Sequence, residues 1–147
     1  MNNGNVQTSV EFQEEYKRLD RLCKDTLQSE QGVTQYIEQM KKVAFEQYRH
    51  VALWEETLRQ LKHVRWVRNQ LAHEVGAVQS GVCVQDDLRF VRNFHQSIIV
   101  QKDPLALLRV SISQTQKPVP KAKTKTEKST PLWRRIVKAI ARVFFWS

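Results

Sequence analysis

The chain has 147 residues, 41% of them apolar, with only four glycines and four prolines. This composition suffices for the core of one domain and argues against a loop-rich or all-β protein. The net charge of +9 is unevenly placed: residues 1–112 hold 15 Lys/Arg against 14 Asp/Glu, whereas residues 113–147 hold nine against one. The sequence therefore predicts a nearly neutral domain followed by a cationic tail.

The first part of the chain follows the spacing of amphipathic helices. Residues 1–7 are expected to be a disordered start. The apolar positions then predict one helix from about Thr8 to Gln28, a second from about Val33 to Val43 and a third from about Arg49 to His73. The sequence contains no internal repeat. The helical spacing predicts consecutive helices in one domain.

The next part begins with a loop, indicated by Gly76 and Ser80-Gly81. A fourth helix follows, capped by Gln85 or Asp86, and a short helix begins with Asp103 as its cap and Pro104 in its first turn. VSIS at 110–113 is a weak strand candidate. We predict an all-α fold, an up-down bundle of about four helices over residues 8–112.

The most informative stretch is Leu61–Glu74, LKHVRWVRNQLAHE, at the end of the third predicted helix. Each residue advances a helix by about 100°, which places Arg68 near the middle of an apolar stripe. The stripe consists of Val51, Trp54, Leu58, Leu61, Val64, Leu71, Ala72 and Val75. A guanidinium at such a position is costly unless an acid pairs with it or it opens onto a cleft.

Arg68 and His73 are separated by about 140° around a regular helix. One continuous helix therefore cannot direct both side chains at a single small target. Asn69 lies four residues before His73 and shares its flank of the helix. The geometry predicts either a break in the helix near Ala72 or a site to which two copies of the chain contribute.

The hexapeptide RNQLAH, from Arg68 to His73, resembles the Arg-polar-x3-His signature of the HEPN superfamily. These small all-helical domains include metal-independent ribonucleases of defence and toxin–antitoxin systems. The longer HVRWVRNQLAHE, followed later by DPLALLR, resembles a family of small uncharacterised bacterial proteins. The resemblance covers roughly residues 8–110, implies a helical bundle that forms a two-fold dimer, and implies no metal and no cofactor.

The resemblance assigns catalytic roles to three residues. RNA carries its own nucleophile in the 2′-OH, so cleavage needs only proton transfer and charge stabilisation. We expect His73 to act as general base or acid, Arg68 to hold the scissile phosphate, and Asn69 to orient the imidazole or the phosphate.

A purely structural interpretation stays open beside this one. Arg68 would then be a buried ion-pair partner of Asp86, Asp87 or Glu55, and His73 would complement the helix dipole.

Other residues are less suggestive. His50 and His63 fall on or near exposed faces without companions at metal-ligand spacing, and His95 fits a structural side chain. Cys23 lies on an apolar helical face, which indicates a buried free thiol. Trp66 shares the flank of His73 and is either a surface aromatic or a stacking partner for a base.

The tail has two parts. Residues 113–130, rich in Lys, Thr and Pro, predict a flexible, solvated, disordered linker. Residues 131–147 predict a cationic amphipathic helix that is too short and too polar to span a bilayer. The residues expected to bind a membrane or a partner are Trp133, Arg134, Arg135, Lys138, Arg142, Phe144, Phe145 and Trp146. An anionic membrane surface, a protein partner and a nucleic-acid tether are the three interpretations.

Two functional hypotheses follow. The first is a homodimeric HEPN-like, RNA-directed protein, a metal-independent endoribonuclease of toxin or defence type with a cognate antitoxin or other protein partner. The second is a non-catalytic HEPN-like interaction module recruited to the membrane surface by its C-terminal helix. Residues 1–9 lack the apolar stretch of a signal peptide, so we expect a cytoplasmic protein, peripheral on the inner face of the membrane where the tail binds.

Overall fold

The computed structural model describes residues 3–115, and within them the chain forms helices and no strand. The helices are α1 (Asn3–Leu27), α2 (Val33–Lys42), α3 (Phe45–Tyr48), α4 (Trp54–His73), α5 (Ala77–Ser80), α6 (Gln85–Ile99) and α7 (Pro104–Thr115). The predicted all-α fold is confirmed for this part of the chain. The predicted linker and C-terminal helix lie outside the described residues.

Helix α1 is the centre of the bundle. It packs against α2, α4, α5 and α6, and α2 also packs against α4. Phe12, Leu19 and Cys23 are fully buried on the inner face of α1, and Leu61 and Val64 of α4 are fully buried in the same core. Each such apolar side chain stabilises the fold by about 1.5–3 kcal/mol relative to an exposed one. The prediction of a buried free thiol at Cys23 is confirmed.

The start of α1 differs from the prediction. The helix begins at Asn3, so the expected disorder over residues 3–7 is wrong. Thr8 is an interior residue whose hydroxyl donates a hydrogen bond to the carbonyl oxygen of Gly4 at 2.8 Å. Ser9 is fully buried, and its hydroxyl donates to the carbonyl oxygen of Val78 at 3.3 Å. Both polar residues therefore face the bundle.

The third predicted helix begins later than expected, since α4 starts at Trp54, and the short helix α3 lies before the predicted start at Arg49. Between them Leu53 has a left-handed backbone with a φ of 60°, a conformation that is uncommon for residues other than glycine. The aromatic rings of Tyr48 and Trp54 stack across the break, with centroids 5.0 Å apart and planes at 7°. The chain therefore turns at a site where the sequence has neither glycine nor proline.

The second half of the bundle corrects three smaller predictions. Helix α5 occupies the predicted loop, between Gly76 and Gly81, which both have left-handed backbones. Helix α6 begins at Gln85 without a side-chain cap from Gln85 or Asp86, and the carboxylate of Asp87 accepts a hydrogen bond from the Val84 amide. The VSIS segment lies inside α7.

The predicted start of α7 is confirmed. Pro104 is its first residue, and Asp103 Oδ2 accepts a hydrogen bond from the amide of Ala106 at 3.4 Å. The hydroxyl of Tyr36 donates to the same carboxylate at 2.5 Å and accepts from the amide of Leu105 at 3.1 Å. This buried network fixes α7 to α2.

The junction of α1 and α2 shapes the region where the candidate site lies. Asp20 Oδ1 accepts a hydrogen bond from the amide of Val33, the first residue of α2, at 2.9 Å. A Cβ atom at Gly32 would lie only 2.2 Å from the carbonyl oxygen of Asp20, so only glycine fits. Asp20 Oδ2 also lies 3.3 Å from Lys24 Nζ. The loop before α2 is thereby held against α1.

Candidate functional site

The buried face of α4 differs from the predicted stripe near its C-terminal end. Val67 is fully buried and Leu71 nearly so, whereas Ala72, Val75 and Arg68 are exposed. The core-facing stripe therefore narrows in the last two turns of α4. Arg68 has the predicted direction around the helix, and its side chain is exposed.

Arg68 opens onto a groove between α1, the loop before α2, and α4. The groove has a volume of about 310 Å³. It is lined by Tyr16, Lys17, Asp20, Lys24, Glu30, Gln31, Gly32, Thr34, Arg65, Arg68 and Asn69. We call this space the α1–α4 groove. Its shape follows from the Asp20–Gly32 contact, which fixes the distance between α1 and the loop opposite Arg68.

Of the basic residues that line the α1–α4 groove, the two lysines have carboxylate partners and the two arginines do not, within residues 3–115. Lys17 lies 3.1 Å from Glu14, and Lys24 lies 3.3 Å from Asp20. Arg65 and Arg68 line the groove on α4, and within residues 3–115 no carboxylate forms an ion pair with either. Two guanidinium groups therefore remain available to an anionic ligand, which planar donor forks bind in bidentate fashion.

The carboxylates considered as partners of Arg68 are engaged elsewhere. Asp87 lies 3.0 Å from His63, and Asp86 lies 3.2 Å from Arg89. Glu55 accepts a hydrogen bond from the hydroxyl of Tyr48. The ion-pair interpretation of Arg68 is therefore wrong for the part of the chain that the structure describes.

Asn69 and Arg68 act together at the edge of the groove. Arg68 Nη1 donates a hydrogen bond to Asn69 Oδ1 at 3.1 Å, and both side chains are exposed. This contact orients the guanidinium while leaving its other N–H donors available.

Tyr16 forms part of the groove wall and is almost fully buried. Burial raises the pKa of its phenol well above the ordinary value, and the nearby Asp20 raises the pKa further. Arg68 and Arg65 act in the opposite direction but do not cancel the effect. Tyr16 is therefore neutral at physiological pH and adds no negative charge to the groove.

His73 lies apart from the groove. It is exposed at the last position of α4 and is not among the groove-lining residues. The helix is continuous to this point, since the Glu74 amide still donates to the carbonyl oxygen of Gln70 at 2.9 Å. The predicted alternative of a helix break near Ala72 is therefore wrong. Within one protomer Arg68 and Asn69 are together, whereas His73 lies about 140° from Arg68 around the helix.

A second cluster joins His63 of α4 to Asp87 of α6 and has no signal in the sequence. His63 Nε2 lies 3.0 Å from Asp87 Oδ1, and this carboxylate is almost fully buried while the imidazole is about half exposed. His63 also stacks on Trp66, with centroids 5.9 Å apart and planes at 27°. The two ends of the His63–Asp87 pair are 24 positions apart on different helices, so no local spacing could have revealed it.

The residues predicted to bind a membrane or a partner belong to the tail. Trp133, Arg134, Arg135, Lys138, Arg142, Phe144, Phe145 and Trp146 lie outside residues 3–115. Among residues 3–115, no group of three or more His, Cys, Asp or Glu side chains converges as a metal site. No helix in the same range is both long enough and apolar enough to cross a membrane.

The fold and the groove define a small all-α bundle in which two arginines of one helix, Arg65 and Arg68, line a groove. Comparison with protein families matches residues 10–141 to DUF6548, a family of unknown function. The match covers most of the chain, which therefore belongs to this family. No curated protein and no solved structure matches the chain significantly.

Proposed function

We propose that the chain is a HEPN-like, RNA-directed protein that acts as a dimer and cleaves RNA without a metal ion. The observation that supports this proposal most directly is the exposed guanidinium of Arg68, which opens onto the α1–α4 groove without a carboxylate partner among residues 3–115. An arginine in this setting suits a phosphate ligand.

The charge of α4 supports a polyanionic ligand. Between Glu56 and Glu74 the helix carries four Lys/Arg residues and no carboxylate. This run stands out in a region whose total charge is nearly neutral. Basic residues concentrated along one helix are typical of phosphate-backbone binding, because each contact releases condensed counterions.

The chemistry assigned to the site needs three groups. His73 removes the proton from a 2′-OH, whose oxygen attacks the adjacent phosphorus. The bond from phosphorus to the 5′-oxygen breaks, leaving a 2′,3′-cyclic phosphate and a 5′-OH that takes up a proton. Arg68 stabilises the charge that develops on the phosphate, and Asn69 holds the guanidinium in place.

The position of His73 is the reason for proposing a dimer. Helix α4 is regular to its end, so His73 of one protomer cannot reach the phosphate held by Arg68 of the same protomer. Two copies related by a two-fold axis would each supply one group to a shared site. Ala72 and Val75 are exposed next to His73 and offer apolar area for such a contact.

The proposal extends to the place of action. Residues 131–147 combine aromatic and basic residues in a pattern suited to an anionic membrane surface, as in peripheral proteins. A toxin or defence nuclease with a cognate antitoxin, cytoplasmic and held at the inner face of the membrane, fits this combination.

The direct test is RNA cleavage by the purified full chain and its variants. Arg68→Ala and His73→Ala should each abolish cleavage while leaving the helical circular dichroism intact. Arg49→Ala and His50→Ala are matched controls, because they remove the same residue types from an exposed turn after α3 and should leave cleavage unchanged. Equal cleavage by all variants would refute the nuclease. A change in thermal stability or dimerisation, without any RNA cleavage by the wild type, would favour a non-catalytic interaction module.

A further inference from the structure

The flank of α4 beyond Asn69, on the side of His73, carries a half-exposed tryptophan. Trp66 is 48% exposed although tryptophan is among the costliest side chains to leave in water. His63 precedes it by three residues and His73 follows it by seven, which places all three on one side of the helix. Lys62 is exposed beside them. We call His63, Trp66 and His73 the Trp66 flank.

The tryptophan is held by a chain of contacts that starts in the core. The Val84 amide donates to Asp87 Oδ2 at 3.0 Å, which fixes this nearly buried carboxylate at the start of α6. Its other oxygen lies 3.0 Å from His63 Nε2. The imidazole in turn stacks on the indole of Trp66. The orientation of a surface ring is thus set by a buried acid on a neighbouring helix.

A ring that is oriented before a ligand arrives loses little conformational entropy on binding. Asp87, the carboxylate that contacts His63, is paired and nearly buried. Lys62, which is exposed on the same side of the helix, adds a positive charge. The flank therefore combines an aromatic platform with a surface that tolerates phosphate.

We propose that Trp66 stacks on a base of single-stranded RNA next to the scissile phosphate. This inference rests on the proposed function, because it takes RNA to be the ligand of α4. Trp66 and His73 lie about 20° apart around the helix and about 10 Å apart along it, so neighbouring nucleotides of one strand reach both. Base–aromatic stacking tolerates any base, so little sequence preference is expected. Because only an unpaired base is free to stack on the indole, the site should prefer single strands over duplexes.

The test measures binding of a single-stranded RNA oligonucleotide carrying 2′-O-methyl groups throughout, which cannot be cleaved. With the full chain, Trp66→Ala should weaken binding by about 5- to 150-fold, the range that one stacked base contributes. Trp66→Phe should retain most of the affinity. Phe45→Ala is the control, since Phe45 is a 60% exposed aromatic residue on α3, and it should bind as the wild type does.

An abasic version of the oligonucleotide identifies the interaction as stacking. The wild type should bind the abasic oligonucleotide about as weakly as Trp66→Ala binds the complete one. Trp66→Ala and the wild type should have equal affinities for the abasic oligonucleotide. Sedimentation of each variant reports its oligomeric state in the same samples.

The outcomes separate this inference from the proposed function. Binding that depends on Arg68 but not on Trp66 would overturn the stacking site and leave the proposed function standing. A changed oligomeric state with unchanged oligonucleotide affinity would likewise overturn it and place Trp66 in a protein contact. Absence of RNA binding by the wild type would overturn both.

Discussion

Arg68 donates a hydrogen bond from Nη1 to Oδ1 of Asn69, its neighbour along α4, at 3.1 Å. The acceptor is an uncharged amide oxygen, so the positive charge of the guanidinium is not neutralised by Asn69 and can attract an anionic ligand. A carboxylate at position 69 would instead pair with Arg68 and add a negative charge at the edge of the α1–α4 groove.

This relationship predicts that Asn69→Asp lowers RNA affinity by about tenfold or more, because like charges placed together at a binding surface cost free energy. Asn69→Ala should have a smaller effect, since it removes the orientation of Arg68 but not its charge. Filter binding of a 2′-O-methyl RNA at fixed salt measures both variants. Equal affinities of Asn69→Asp and wild type would contradict a phosphate position beside Arg68.

The groove itself depends on a close approach of backbone to backbone. Gly32→Ala should lower the free energy of unfolding by about 2 kcal/mol or more, because the new Cβ would overlap the carbonyl oxygen of Asp20. Gly76→Ala is the control: its Cβ meets nothing within 4 Å, and its left-handed backbone alone costs about 1 kcal/mol. Urea denaturation compares them, and a cost at Gly32 no greater than at Gly76 would contradict the described junction.

The buried thiols predict a loss of stability at alkaline pH. Burial, with a contribution from Asp87, raises the pKa of Cys83 to about 12. The folded state therefore keeps this thiol neutral after the unfolded chain has begun to ionise near pH 8.5. Stability should therefore fall as the pH rises from about 8.5 to about 12. Burial also raises the pKa of Cys23, so its contribution has the same sign.

Denaturation of the wild type and of Cys83→Ala across this pH range checks the prediction. The variant should show the shallower dependence on pH. Parallel curves for the two proteins would mean that Cys83 ionises equally in the folded and unfolded states.

The tail supports a prediction from its sequence. A chain that lacks residues 131–147 should lose binding to vesicles of anionic lipid, because the amphipathic segment carries four Lys/Arg and the aromatic residues suited to the interface. Vesicles of neutral phosphatidylcholine are the control and should bind both forms weakly. Co-sedimentation measures the binding. Undiminished binding by the shortened chain would remove the membrane assignment.

The long helices could be predicted because their apolar residues repeat at helical spacing, and α1, α2, α4 and α6 were all found in this way. The break before α4 could not be predicted. Leu53 does not favour the left-handed region by itself, and the turn there depends on tertiary packing such as the stack of Tyr48 on Trp54. Local propensity is a weak guide where packing decides.

The candidate site was predictable in part for the same reason. Rotation around the helix correctly separated Arg68 from His73, because it depends on sequence spacing alone. Whether Arg68 is buried depends on how closely α1 and the loop before α2 approach α4. The Asp20–Gly32 junction holds these two elements so that a groove remains beside Arg68. The His63–Asp87 pair joins two helices and has no signature within either.

The central claim is that Arg68 and His73 reach one phosphate only when two protomers supply them. Arg68→Ala and His73→Ala are each expected to be inactive alone. The two variants are mixed in equal amounts, unfolded together and refolded, so that half of the dimers contain one protomer of each variant. Each such mixed dimer has one intact composite site out of two. The mixture should therefore recover about a quarter of wild-type RNA cleavage. A mixture as inactive as its components, with dimer formation shown by sedimentation, would contradict the shared site.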